Sequence, residues 1–179
     1  MISLGLDVSE LRLGWAFVSY DDQRPLALGV EDLRKRDGGY LEEQVITAMR
    51  DVRDRLRALG HDPEEVVVAG IESAYHGPSI KRTIAHAGVI GMATVAAQVT
   101  FGRQLVCMPL GADEWRAACG ISNAGKREEK KAAAWAWAMD RLSEYPDDDP
   151  ETFSQDAADA LGLATAAALL TVKRSEEAA

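Results

Sequence analysis

Apolar and polar positions alternate along the chain in a way that sets out its elements in order. Three strand-like runs open it, Ile2 to Leu6, Leu13 to Val18 and Leu26 to Val30. The short turn-rich links between them, DVSELR and DDQRP, suit antiparallel neighbours. Leu41, Val45, Met49, Val52, Leu56 and Leu59 then recur at helical spacing, with Gly60 as the stop. The continuous apolar run in EEVVVAGIES predicts a central strand covered on both faces and ending at Glu72. A long helix is expected from Pro78, placed to start it, to about Val99. A strand in RQLVCMP, a short helix in GADEWRAACG and a helix from Lys126 to Leu142 follow. The last helix is SQDAADALGLATAAALLTVK, with residues 174–179 as a frayed tail. Strands that are first antiparallel and then alternate with helices predict an α/β fold, a mixed sheet with helices on both faces.

The chain has 179 residues, 47% hydrophobic and 27% charged, which suits one domain over 1–179 and not two. It shows no internal repeat and no linker. No apolar run approaches the length of a membrane span and no charged leader precedes the first strand. A cytoplasmic protein without a membrane partner is therefore expected. Cys107 and Cys119 fit no zinc spacing and read as reduced packing residues.

The net charge of -9 argues at face value against a polyanionic partner, but it is unevenly spread. Residues 1–72 hold 15 acids and 9 bases, 73–131 hold 4 and 8, and 132–179 hold 10 and 3, giving -6, +4 and -7. One basic zone thus lies between acidic flanks, and binding depends on such a patch more than on the total.

Acids occupy unexpected places. Asp7 and Glu72 close apolar strands that should lie inside the sheet. Asp156 and Asp159, three apart, share a face of the last helix, which is otherwise apolar. Asp156 alone also reads as a helix N-terminal acid behind Ser154 as N-cap; Asp159, among alanines, does not. Two carboxylates about 4 Å apart repel by roughly 4 kcal/mol at an effective dielectric near 20. A hard divalent cation removes that penalty. Acids converging from three strand or helix ends would suit a two-metal nuclease, although spacing alone does not bring them together.

LGLDVSELRLGWA, AGIESAY, GISNAGKREEKKAAA and SQDAADALGLATAA, in this order, resemble the RuvC family of Holliday-junction resolvases, which are ribonuclease H-like nucleases. The resemblance runs from Ile2 to about Val172. It implies a five-stranded mixed sheet and makes Asp7, Glu72, Asp156 and Asp159 the ligands of two Mg2+ ions per site, with Mn2+ as a substitute. It further implies that Lys126 is the basic catalytic residue near the scissile phosphate and that Tyr75 meets the open centre of the junction. The implied activity is that of a crossover junction endodeoxyribonuclease, working as a homodimer in recombination and repair. The helix carrying HAGVIGMATVAA is implied as the dimer contact.

Two departures stand out. Val8-Ser9 replaces the Pro-Gly that many members carry after the first acid. A second basic residue expected upstream of the loop falls at Trp115, with Arg116 beside it. The DNA-contacting patch is expected around Lys81, Arg82, Arg116, Lys126, Arg127, Lys130 and Lys131. Trp135 and Trp137 read as core or subunit-contact residues, and His61, His76 and His86 have no partner spacing. The alternatives are a nuclease of the same fold acting on other branched DNA or structured RNA, and a non-catalytic nucleic-acid-binding scaffold. A phosphotransferase would need a second domain and a second glycine-rich phosphate turn, so no nucleotide cofactor is expected.

Overall fold

β1 (Ile2–Val8), β2 (Arg12–Ser19) and β3 (Pro25–Asp32) form an antiparallel meander in the computed structural model, which describes residues 1–35, 40–73, 79–143 and 153–177. β4 (Val66–Glu72) then pairs parallel to β1, and β5 (Val106–Leu110) parallel to β4, so the sheet runs β3-β2-β1-β4-β5. The helices are α1 (Leu41–Ala58), α2 (Ile80–Phe101), α3 (Ala112–Ala118), α4 (Arg127–Ser143) and α5 (Gln155–Glu177). The mixed five-stranded α/β architecture expected from the sequence is the one observed.

Strand alternation divides the structure into two cores. Ile2, Leu4, Leu6 and Val8 join Leu13, Trp15 and Phe17 on one face, against Met49 and Val52 of α1 and Val89, Ala93 and Phe101 of α2. The odd positions of β1 turn the other way, toward α5. There α5 lies between the sheet and α4, with Leu161, Leu163 and Ala164 buried, which explains its run of alanines. Gly5 and Gly70 sit side by side in the parallel register of β1 and β4. A Cβ on either would overlap α5 backbone carbonyls, of Ala160 and Leu163 respectively. The buried Ser3 hydroxyl donates to the Ala164 carbonyl at 2.7 Å.

Several boundaries differ from the sequence expectation. β1 runs through Val8, so Asp7 is inside the strand and not after it. β5 is displaced toward Leu110 and α4 starts at Arg127. α2 begins at Ile80, because Ser79 takes the N-cap and accepts from the Arg82 amide at 3.5 Å; Pro78 lies outside the described residues. α5 stays helical to Glu177 instead of fraying at 174. Contrary to expectation, α2 is long and apolar enough to cross a membrane by length and composition alone. Its glycines, alanines and scattered polar residues mask that length in the sequence. One side of α2 is packed in the core through Val89, Ala93, Ala96, Ala97 and Phe101.

Candidate active site

Asp7 faces α5 because it shares the parity of Ser3 and Gly5 in β1. Its partner across β2 is Gly14, and Glu72 follows Ile71, the residue paired with Leu6 in β4. A Cβ on Gly14 would run into the Asp156 backbone, so the first turn of α5 is seated on the strand beside Asp7. That turn is closed by Ser154, whose hydroxyl accepts from the Ala157 amide at 3.2 Å.

Four acids from β1, β4 and α5 therefore act on one another. The Asp7 carboxyl is held well above the usual range, first by burial and then by the charges of Glu72, Asp159 and Asp156. Asp159 is pushed up to about 6, mainly by burial, with Glu72 adding to the rise. A hydrogen bond from Gln155 Nε2 at 2.9 Å and the charges of Arg116 and Lys131 work against that rise. Asp156 pairs with Arg12, Nη1 to Oδ2 3.2 Å.

As the side chains stand, no group of three His, Cys, Asp or Glu among the described residues is gathered closely enough to hold a metal ion. Asp156 is turned to Arg12 and Asp159 to Gln155. The donor chemistry nonetheless fits a hard divalent cation: all four acids present oxygen, and after burial the charges of the other three raise Asp7 further.

The basic residues divide into two kinds. Lys81, Arg82, Lys126 and Arg127 are exposed. The Lys126 amide donates to Glu129 Oε2 at 2.8 Å, which anchors the start of α4. Lys130 is tied to Asp113 at 3.0 Å. Arg116 is not on the surface where it was expected. Only 8% exposed, it lies over the Trp115 ring at 4.9 Å, reaches Asp113 at 3.6 Å, and has its buried Nε without a hydrogen-bond partner. The reason is the short helix α3, which drives Trp115 into the core against Gly162 and takes its neighbour along. From there Arg116 acts on Asp159. Tyr75 lies outside the described residues.

Arg12 and Gln155 were missed in the sequence. Arg12 was open to detection, since it shares strand parity with Gly14. Both cysteines are free, as expected, with thiols pushed up by burial to about 11 for Cys107 and about 12 for Cys119. Trp137 packs against the core, whereas Trp135 stands at the surface with its ring 4.5 Å from that of Phe153.

Comparison with protein-family models and with curated protein sequences gives no significant match. Solved structures do match, over nearly the whole chain. Thermus thermophilus RuvC superposes with a TM-score of 0.65 at 16% identity, covering 97% of each chain. The fold is that of the RuvC resolvases. The same RuvC in complex with Holliday junction substrate gives 0.64 at 17% identity, covering 98% of this chain and 97% of that one. Fowlpox virus resolvase, solved with Holliday junction DNA, gives 0.59 at 14% identity over 98% and 99%. The yeast mitochondrial Holliday junction resolvase Ydc2 gives 0.52 at 15% identity over 97% and 80%. The RuvC-like fold thus extends through α5, the helix that brings Asp156 and Asp159 to the sheet.

Proposed function

We propose that this protein is a structure-selective endonuclease that resolves four-way DNA junctions in recombination and repair, as a homodimer that places one nick from each protomer. The observation that carries the reading is the convergence of acids from β1, β4 and α5 on Asp7, within a RuvC-like fold. Asp7, Glu72, Asp156 and Asp159 are the residues to hold two Mg2+ or Mn2+ ions. Bound there, such ions would activate water and offset charge on the phosphodiester.

The protein's own groups do the rest. Lys126 neutralises charge on the phosphate under attack. Lys81, Arg82, Arg127 and Lys130 contact flanking phosphates, which fix register without reading sequence. Arg116, buried on Trp115, keeps Asp159 closer to its ionised form than burial alone would allow.

The outer face of α2 supports the dimer. Ile80, Ile84, Val95 and Val99 are 60 to 77% exposed, and Gly88 and Gly91 between them face open space. These six recur in steps of four and three, one continuous stripe. A second copy laid along it covers the stripe, and the glycines let the two backbones approach closely.

A labelled four-way junction and a linear duplex of the same sequence, incubated with and without Mg2+, test the reading. Paired symmetric nicks in the junction alone, and only with the ion, are expected. Equal cutting of both substrates, or cutting in the presence of a chelator, would sink it.

A further inference from the structure

Arg12 opens β2 directly after a turn that Ser9 closes. The Ser9 hydroxyl accepts from the Arg12 amide at 3.0 Å, and the Ser9 amide donates to the Arg12 carbonyl at 2.9 Å. On β2, Arg12 has the parity of Gly14, whose missing side chain makes room for the Asp156 backbone. The guanidinium crosses to the Asp156 carboxylate at 3.2 Å, with the two side chains 50% and 32% exposed. β2 therefore holds Asp156 twice, once by its backbone and once by its charge.

The proposed metal chemistry assigns this ion pair no role, since it calls on the Asp156 carboxylate as a ligand. We propose that Arg12 is a resident counter-cation that occupies Asp156 in the metal-free protein and competes with divalent ions for that carboxylate. This rests on the metal-centre reading above. The physical case is one of charge. Three acids act on a half-buried Asp7, and a guanidinium at the rim lowers that repulsion until an ion arrives. An Oδ2 engaged by a guanidinium is a weaker metal donor, so an ion that takes that oxygen competes with Arg12. The pair is half exposed, and pairs of that kind are weak. Arg12 therefore tunes metal affinity modestly and does not block it, which leaves the ion free to win at millimolar concentration. Arg12 is a positioning residue here: it acts through Asp156 and touches no reacting atom.

Calorimetric titration of Mn2+ into the DNA-free protein tests this without reference to cleavage. Arg12→Gln should bind Mn2+ more tightly than wild type, by about two- to five-fold, and Arg12→Lys, which restores the charge, should return toward wild type. Thermal melts of each variant in chelator verify that both are folded. Equal or weaker Mn2+ binding by Arg12→Gln, with wild type binding normally, overturns the role of Arg12 alone. If wild type takes up no Mn2+, the metal-centre reading fails first and the Arg12 role goes with it.

Discussion

Gly14 of β2 and Asp156 of α5 are packed backbone to backbone, so closely that a methyl group at position 14 would overlap the Asp156 carbonyl. Gly14 is also the cross-strand partner of Asp7. One small residue thus couples the strand that carries the first acid to the helix that carries the last two. Gly14→Ala should cost about 1–3 kcal/mol of stability through overpacking. It should lower cleavage by more than that loss explains, since it pushes Asp156 away from Asp7. Denaturant midpoints set beside single-turnover rates separate the two effects. A variant as active as wild type would mean that Asp156 does not need this seat.

Asp7→Asn should abolish cleavage while leaving junction binding nearly intact. The amide keeps the shape of the side chain but is a poor ligand for a hard cation. It also removes the buried charge that three other acids oppose. The same variant should therefore melt at a higher temperature than wild type in the presence of a chelator. Loss of activity with a lower melting temperature would point to misfolding and away from a ligand role.

Stability of the metal-free protein should fall as pH rises through about 6. Asp159 has its folded pKa pushed up to about 6 from 3.8, so the folded state binds its proton more tightly than the unfolded chain. The favourable contribution is fully present below about pH 4 and is lost as pH passes 6, to a total of roughly 3 kcal/mol. Asp7, shifted in the same direction, should deepen the trend. Melting curves between pH 4 and 8 in chelator should show the slope, and Asp159→Asn should flatten it. Saturating Mg2+ should flatten it too, because an ion binding only the folded state stabilises it by mass action.

Much of this arrangement was open to reading before the fold was known. Periodicity places the five strands and five α-helices of the described residues, and an acid among the alanines of α5 marks Asp159 as out of keeping with a buried face. What stayed hidden depends on contacts between residues far apart in the chain. Strand parity with Gly14 places Arg12 on the α5 side of the sheet, but nothing in the sequence names Asp156, 144 positions away, as its partner. Nothing in ADEWRAACG says which of Trp115 and Arg116 turns inward, because a helix of seven residues has too few turns to define a face; both are buried. α2 starts at Ile80 because the Ser79 hydroxyl caps its first turn, a signal that the sequence reading passed over.

Lys126→Ala should lower the cleavage rate more than it lowers junction affinity, whereas Lys81→Ala and Arg82→Ala should do the reverse. Lys126 stands where the loop enters α4, its carbonyl accepting from the Lys130 amide, and the role proposed for it is in the transition state. Lys81 and Arg82 project from the exposed first turn of α2, where loss of a phosphate contact weakens binding and flattens its salt dependence. Rates under single-turnover conditions and affinities in Ca2+ decide it. Equal effects for all three would reduce the basic zone to an electrostatic footprint.

The dimer is the most exposed of these expectations. α2 is buried on the side toward α1 and the sheet and bare on the other, where Ile84 is 67% exposed and Val95 60%. An apolar stripe of that length in water is costly, at about 25 cal/mol for each Å2 left uncovered, and a second α2 is the simplest surface of matching shape. Two-fold symmetry also meets the needs of the proposed reaction, because paired nicks across a junction require two active centres at a fixed separation. Ile84→Glu and Val95→Glu lie on the bare side, so the core is untouched and each variant should fold. Each should sediment as a monomer, and wild type as a dimer. Each should also lose paired nicking far more than single nicking, since its individual acid cluster is intact. Wild type that remains monomeric in light scattering, with and without junction DNA, would remove the paired mechanism while leaving the acid cluster and its metal chemistry to stand alone.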